Sequence, residues 1–97
     1  MNVENAAKQL KALSSPTRLR ACRMLVRAGE AGLSVAWLRE QLGIAALPLS
    51  HDLYRLILAG LVTQERQAAT LIYRANSHAI DTLVGYLIDE CCADAAP

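Results

Sequence analysis

Residues 34–60 read SVAWLREQLGIAALPLSHDLYRLILAG, and the spacing of their apolar side chains decides the fold. Ser34 is placed to cap a helix over VAWLREQL, and Gly43 breaks that helix. A second helix is expected from about 48 to 59, because Leu49, Leu53, Leu56 and Ile57 recur at helical spacing and form one buried stripe. Gly60 stops it. Helix, short Gly-containing turn and second helix make a helix-turn-helix arrangement. Ser50, His51, Tyr54 and Arg55 fall off the buried stripe of the second helix and turn outward.

Upstream, a first helix is expected over 2–13, with Val3, Ala6, Ala7, Leu10 and Leu13 on one side and Lys8 and Lys11 on the wet side. Ser14-Ser15-Pro16 punctuates the chain. Ser15 can cap a further helix whose first turn accepts Pro16, since no amide donor is needed there. That helix points Leu19, Cys22, Leu25 and Val26 inward and its arginines outward, until Gly29 and Gly32 end it. Downstream, residues 61–64 and 70–73 favour strands and predict a β-hairpin, although the loop lacks the Gly or Asn usual in a tight turn. Ser77 can cap a last helix. Along it, Ile80, Leu83, Val84, Leu87, Ile88, Cys91 and Cys92 form a continuous apolar stripe, before a loose tail over 93–97.

The 97 residues make one domain, 1–97, mainly α with a small hairpin. Hydrophobic content of 54 % without a single Phe suits packed helices built on Leu, Ile, Val and Ala. A chain this short buries only about 60–65 % of its unfolded surface, so a dimer sharing an apolar seam is a natural gain of core. The net charge of +1 is uneven. Residues 1–30 carry six basic and two acidic side chains, whereas residues 76–97 carry four acids and no base. The acidic end should face away from a polyanion. Charged residues interrupt the N-terminal segment, so no signal peptide is expected, and no run approaches the roughly 18–20 apolar residues of a membrane span. A cytoplasmic location with reduced thiols is expected, and no catalytic constellation is visible.

The local wording resembles a known family. Leu13-Ser14-Ser15-Pro16-Thr17-Arg18-Leu19-Arg20 resembles the opening of the arsenic-repressor (ArsR/SmtB) family of winged helix-turn-helix regulators. Leu49-Ser50-His51-x-Leu53, followed by Ala59-Gly60-Leu61-Val62, resembles its recognition helix and the start of its wing. Ile72-Tyr73-Arg74-Ala75 looks like its second wing strand, and Asp89-Glu90-Cys91-Cys92 resembles the subgroup with arsenic ligands at the end of the last helix. The resemblance covers nearly the whole chain. It implies five helices plus a wing, and a homodimer joined by segments 1–13 and 77–92. The helix-turn-helix would span 34–60 and the wing 61–75. Two departures stand out: Leu47-Pro48 where the family offers a Ser or Thr cap, and Asp52 where a second His commonly follows.

For double-stranded operator DNA the resemblance nominates Ser50, His51, Tyr54 and Arg55. Arg pairs bidentately with guanine, and Ser or His reaches a phosphate or base edge. The same face also fits an ordinary solvated helix surface. Arg66 and Gln67 in the wing are candidates for phosphate or minor groove, and Thr17 and Arg18 for backbone phosphates at a helix N-terminus. Cys91 and Cys92 are the candidate ligands for trivalent arsenic or antimony, including methyl-As(III), because soft metalloids prefer thiolates. Cys22 is either a third ligand or a small buried hydrophobe. The expected function is therefore a repressor released from its operator by a trivalent metalloid. Two alternatives are open. One is a thiol redox or persulfide switch pairing Cys22 with a last-helix Cys. Asp89, Glu90, Asp94 and the negative helix end disfavour that reactive thiolate. The other is a metalloid-binding dimeric module that has lost specific DNA reading. The thiolate site that many relatives carry on the third helix is absent, and Asn76-x-His78 with Asp89 and Cys92 is a degraded form of their zinc site.

Overall fold

A computed structural model describes residues 1–89. Its order is α1 (Val3–Ala12), α2 (Pro16–Ala28), β1 (Leu33–Ser34), α3 (Val35–Leu42), α4 (Ala46–Leu58), β2 (Val62–Gln67), β3 (Thr70–Ala75) and α5 (Ser77–Leu87). The caps explain most boundaries. Asn2, Ser15 and Ser34 each accept a first-turn amide through their side chains, from Asn5, Arg18 and Trp37. Gly43 closes α3 in the left-handed region that glycine tolerates.

The core is one cluster. Ala21 and Leu25 of α2, Leu38 of α3, and Leu49, Leu53 and Leu56 of α4 pack with Leu61, Val62 and Tyr73. Burying a leucine contributes roughly 1.5–3 kcal/mol, so α4 is held mainly by its three fully buried leucines. Ala6, Cys22 and Leu83 are also buried but lie outside this cluster, on α1, α2 and α5.

Several boundaries differ from those the sequence predicts. The second helix of the helix-turn-helix starts at Ala46, not near Pro48, with Ala45 at its cap position and no side-chain cap bond. Leu47 and Pro48 therefore lie inside the first turn, where Pro48 merely removes an amide that has no partner within the helix. Asn76, not Ser77, caps α5: its side chain accepts from the Ala79 amide at 3.2 Å. The helix ends at Leu87, with Ile88 as its cap residue; residues 90–92 of the segment expected to be helical lie outside the described residues. Its last turn contains Gly85 and no basic side chain, and acidic Asp89 follows, all unfavourable at a negative helix end.

The hairpin strands are longer than the sequence predicts and reach a two-residue turn, because Gln67 pairs with Thr70. Ala68 takes the left-handed conformation there, at φ 55°. A third strand, β1, pairs antiparallel with β3 and gives the order β1-β3-β2. Gly32 makes that pairing possible. Its φ is +66°, and a Cβ there would sit 2.6 Å from the Tyr73 carbonyl oxygen and 2.7 Å from Ile72 Cγ2.

The predicted inward stripes of the outer helices are only partly buried. On α1, Ala6 and Gln9 are buried whereas Val3, Ala7 and Leu10 are exposed; on α2, Leu19 and Val26 are exposed beside buried Cys22. On α5 only Leu83 is buried, and Val84, Leu87 and Ile88 face outward. Apolar spacing marks the faces correctly but cannot say whether the cover belongs to the same chain.

Candidate nucleic-acid interface

The burial of Leu49, Leu53 and Leu56 fixes the rotation of α4, so the opposite side must face out. Ser50, His51, Tyr54 and Arg55 are all exposed there. Helical spacing sets Tyr54 one turn from both Ser50 and His51, and Arg55 one turn from His51.

Arg18 and Thr17 occupy the start of α2, with Thr17 half-buried. Arg18 is turned into the protein. Its Nε donates to the Ala12 carbonyl at 2.6 Å and its Nη1 to Asp52 Oδ1 at 3.2 Å, with the two side chains only 16 % and 19 % exposed. One guanidinium thus ties the end of α1 to α4. The same contact neutralises Asp52, the carboxylate that would otherwise repel phosphate from the recognition face.

Beside this corner lies an open groove of about 490 Å³, lined by Lys8 and Lys11 of α1, Ser14 and Arg18 at the turn, and Arg55 and Leu58 of α4. Lys8 and Lys11, assigned by sequence only to a wet face, thereby join the basic border of α4. The signal was the positive charge of residues 1–30, which does not reveal its neighbour on α4.

The wing carries its own pairing. Arg74 Nη1 donates to Glu65 Oε1 at 2.7 Å, and Gln67 Nε2 donates to the same oxygen at 3.3 Å. Arg74, assisted by Gln67, holds the Glu65 carboxyl below its ordinary range, so this acid stays charged and paired. Arg66 and Gln67 are both exposed but lie on opposite faces of β2, since strand side chains alternate.

The end of α4 is gripped from two sides. Gln9 of α1 donates to the Ala59 carbonyl at 3.1 Å, and Asn76 of α5 donates through its side chain to the Gly60 carbonyl at 3.0 Å. The Asn76 amide also donates to the Leu61 carbonyl at 2.8 Å. With its side-chain oxygen capping α5, Asn76 is fully used structurally, which argues against a zinc role. His78 is exposed within the first turn of the helix. Among the described residues no group of three or more His, Cys, Asp or Glu side chains is placed to hold a metal ion.

Cys91 and Cys92 lie outside the described residues. Cys22 is 5 % exposed, and burial pushes its thiol above the ordinary value of 9.0. Burial likewise raises Tyr73 above 10.0. A folded-state pKa above the unfolded one favours the protonated form, so this contribution is complete below pH 9.0 and is lost as pH rises further. Stability is therefore expected to decline through the alkaline range, and the decline should start later in Cys22→Ala. Urea midpoints along a pH series check this; identical alkaline slopes in both proteins would contradict it.

A helix-turn-helix whose second helix presents a polar and cationic face, followed by the β2–β3 hairpin that β1 completes into a three-stranded sheet, defines a winged helix-turn-helix DNA-binding protein. The chain is 32 % identical over 91 residues to the HTH-type transcriptional regulator YgaV of Escherichia coli (strain K12), a match covering 94 % of this chain and 90 % of that protein. It superposes on the transcriptional repressor BigR of Xylella fastidiosa with a TM-score of 0.68 at 33 % identity, covering 86 % of this chain and 84 % of that one. HlyU of Vibrio cholerae N16961, also solved in a reduced form, gives a TM-score of 0.75 at 29 % identity, covering 95 % and 99 %. No family model matches the chain. The chain belongs to the ArsR family of winged helix-turn-helix transcriptional regulators. It is a regulator of this kind and not an enzyme. Among the described residues no helix is long and apolar enough to cross a membrane.

Proposed function

We propose that the protein is a homodimeric repressor that binds operator DNA and is released by a trivalent arsenical or antimonial held by Cys91 and Cys92. The observation that carries the DNA half is the exposed row Ser50, His51, Tyr54 and Arg55, bordered by the basic groove and cleared of free carboxylate by the Arg18–Asp52 pair. The dimer half is supported by Val3, Leu10, Val84, Leu87 and Ile88, large apolar side chains exposed on α1 and α5 of a single chain. One solved relative of the same fold, from Mycobacterium bovis, is described as a homodimer. Two copies would present two recognition helices to successive major grooves.

The effector half rests on chemistry. Adjacent thiols supply two soft donors, which suits a methylated arsenical directly. The buried, protonated Cys22 makes a poor third ligand, so arsenite would complete its shell from outside the protein or only after local opening. The grip of Gln9 and Asn76 on the end of α4 offers a path by which a change at the α1–α5 seam moves the recognition helix. A second reading, thiol oxidation as the trigger, is favoured by the similarity to HlyU, for which a reduced form is described.

One titration separates the readings. Preformed protein–operator complex is challenged with arsenite, a monomethyl arsenical or the thiol oxidant diamide, in the natural protein and in Cys91→Ser/Cys92→Ser. The metalloid reading expects release at about one arsenic per cysteine pair and none in the double variant. Release by diamide alone would replace that reading with the redox one, and full arsenical release in the double variant would sink the assigned site.

A further inference from the structure

The outward face of α4 is not uniformly polar. Leu47, His51, Tyr54 and Leu58 recur four, three and four residues apart, which stacks them into one straight ridge along the helix. Leu47 is 81 % exposed, Leu58 66 % and Tyr54 57 %. These three apolar bodies stand opposite the leucines that α4 buries, so the helix is apolar on both sides and its outer ridge calls for a cover. Two features say what that cover is. Along one side the ridge is bordered by cations, Arg55 with Lys8 and Lys11 in the groove, and the only carboxylate in α4 is bound to Arg18. Leu47 also stands in the first turn, the part of a recognition helix that meets base edges. An apolar ridge with a cationic border and no free acid on its helix suits a polyanion that displays methyl groups.

We infer that Leu47 is a specificity-determining residue that reads the C5-methyl group of a pyrimidine, thymine in ordinary DNA, in the operator's major groove, with Tyr54 packing behind it. This rests on the DNA-binding reading above. The thymine methyl is the apolar group that base edges present in that groove, and a leucine has neither donor nor acceptor with which to read anything else. The operator half-site is accordingly expected to carry an A·T pair beneath the N-terminus of α4. Leu58, near the other end of the ridge, meets the sugar–phosphate wall beside the basic groove.

The test replaces each operator thymine in turn by deoxyuridine, which removes only the methyl, and measures affinity for the natural protein and for Leu47→Ala. The natural protein should lose roughly three- to five-fold affinity at the read thymine, the value of one buried methyl. Leu47→Ala, at an exposed position that leaves the core intact, should bind the thymine operator more weakly and be indifferent to the substitution. Replacing the cytosine of a C·G pair at that position by 5-methylcytosine should restore affinity only in the natural protein. If the natural protein binds its operator but no thymine responds, or Leu47→Ala responds as the natural protein does, the inference is overturned while DNA binding stands. Failure to bind any operator above unrelated DNA would overturn both, and the ridge would then be a protein-docking face.

Discussion

Gly32→Ala is expected to lower the melting temperature by roughly 12–24 °C, the equivalent of about 3 kcal/mol in a domain of this size. Two costs add. At φ +66° and ψ −173° the backbone sits in a region open essentially to glycine, which penalises any L side chain by about 1–3 kcal/mol. The new Cβ would also meet the Tyr73 carbonyl at 2.6 Å, Ile72 Cγ2 at 2.7 Å and Arg74 Cγ at 2.9 Å. Tyr73 is buried in the core cluster and its strand is central in the sheet, so the side that must yield is β1. Gly29 is the natural control. It has nearly the same φ, +64°, but nothing within 4 Å of an added Cβ, so Gly29→Ala should show the conformational cost alone. Thermal unfolding of the two variants checks this. Equal melting points would mean that the close approach of Gly32 to β3 is not as described.

Arg18→Ala is expected to destabilise the fold by about 2–4 kcal/mol, the scale for losing charge-assisted bonds and stranding a largely buried carboxylate. A cation that merely touched phosphate would behave in the opposite way. Arg55 provides that contrast. It is exposed, so Arg55→Ala should change stability by no more than about 0.5 kcal/mol. If Arg55 reads a base, the same change should weaken operator binding by about 1–3 kcal/mol. The two arginines thus separate cleanly when folding and binding are both measured. Replacing the ion pair by apolar residues, Arg18→Met with Asp52→Leu, should recover much of the lost stability. Urea denaturation of all three variants decides the matter; an Arg18→Ala protein as stable as its parent would return Arg18 to the solvent-facing set.

Much of the architecture was legible because local signals and the core agree. Ser34 and Gly43 bracket α3, and Leu49, Leu53 and Leu56 declare the buried side of α4 from spacing alone. What escaped was set by distant partners. The two-residue strand β1 is too short to show a period, and exists because Gly32 lets the chain approach β3. Asn76 outcompeted Ser77 as a cap because its amide also reaches the Gly60 carbonyl. Buried Gln9 reads as polar surface until the Ala59 carbonyl, fifty residues away, is placed beside it. In the site the recognition row was visible as the residues left over by the apolar stripe. The inward turn of Arg18 was not, because charge in a sequence says nothing of a carboxylate 34 residues on. Val3, Leu10, Leu19 and Val26 look like core and are exposed, since periodicity does not distinguish a core from an interface.

Operator binding through α4 is tested most directly by fluorescence anisotropy of a labelled duplex from just upstream of this protein's own gene. Reduced protein is titrated over a salt series, with an unrelated duplex as control. Operator reading by α4 requires a preference for the upstream duplex of roughly a thousand-fold or more. Affinity should also fall steeply with salt, each phosphate contact adding about 0.9 to the logarithmic slope. Equal affinity for both duplexes would contradict operator reading and leave the exposed face of α4 without a DNA-reading role.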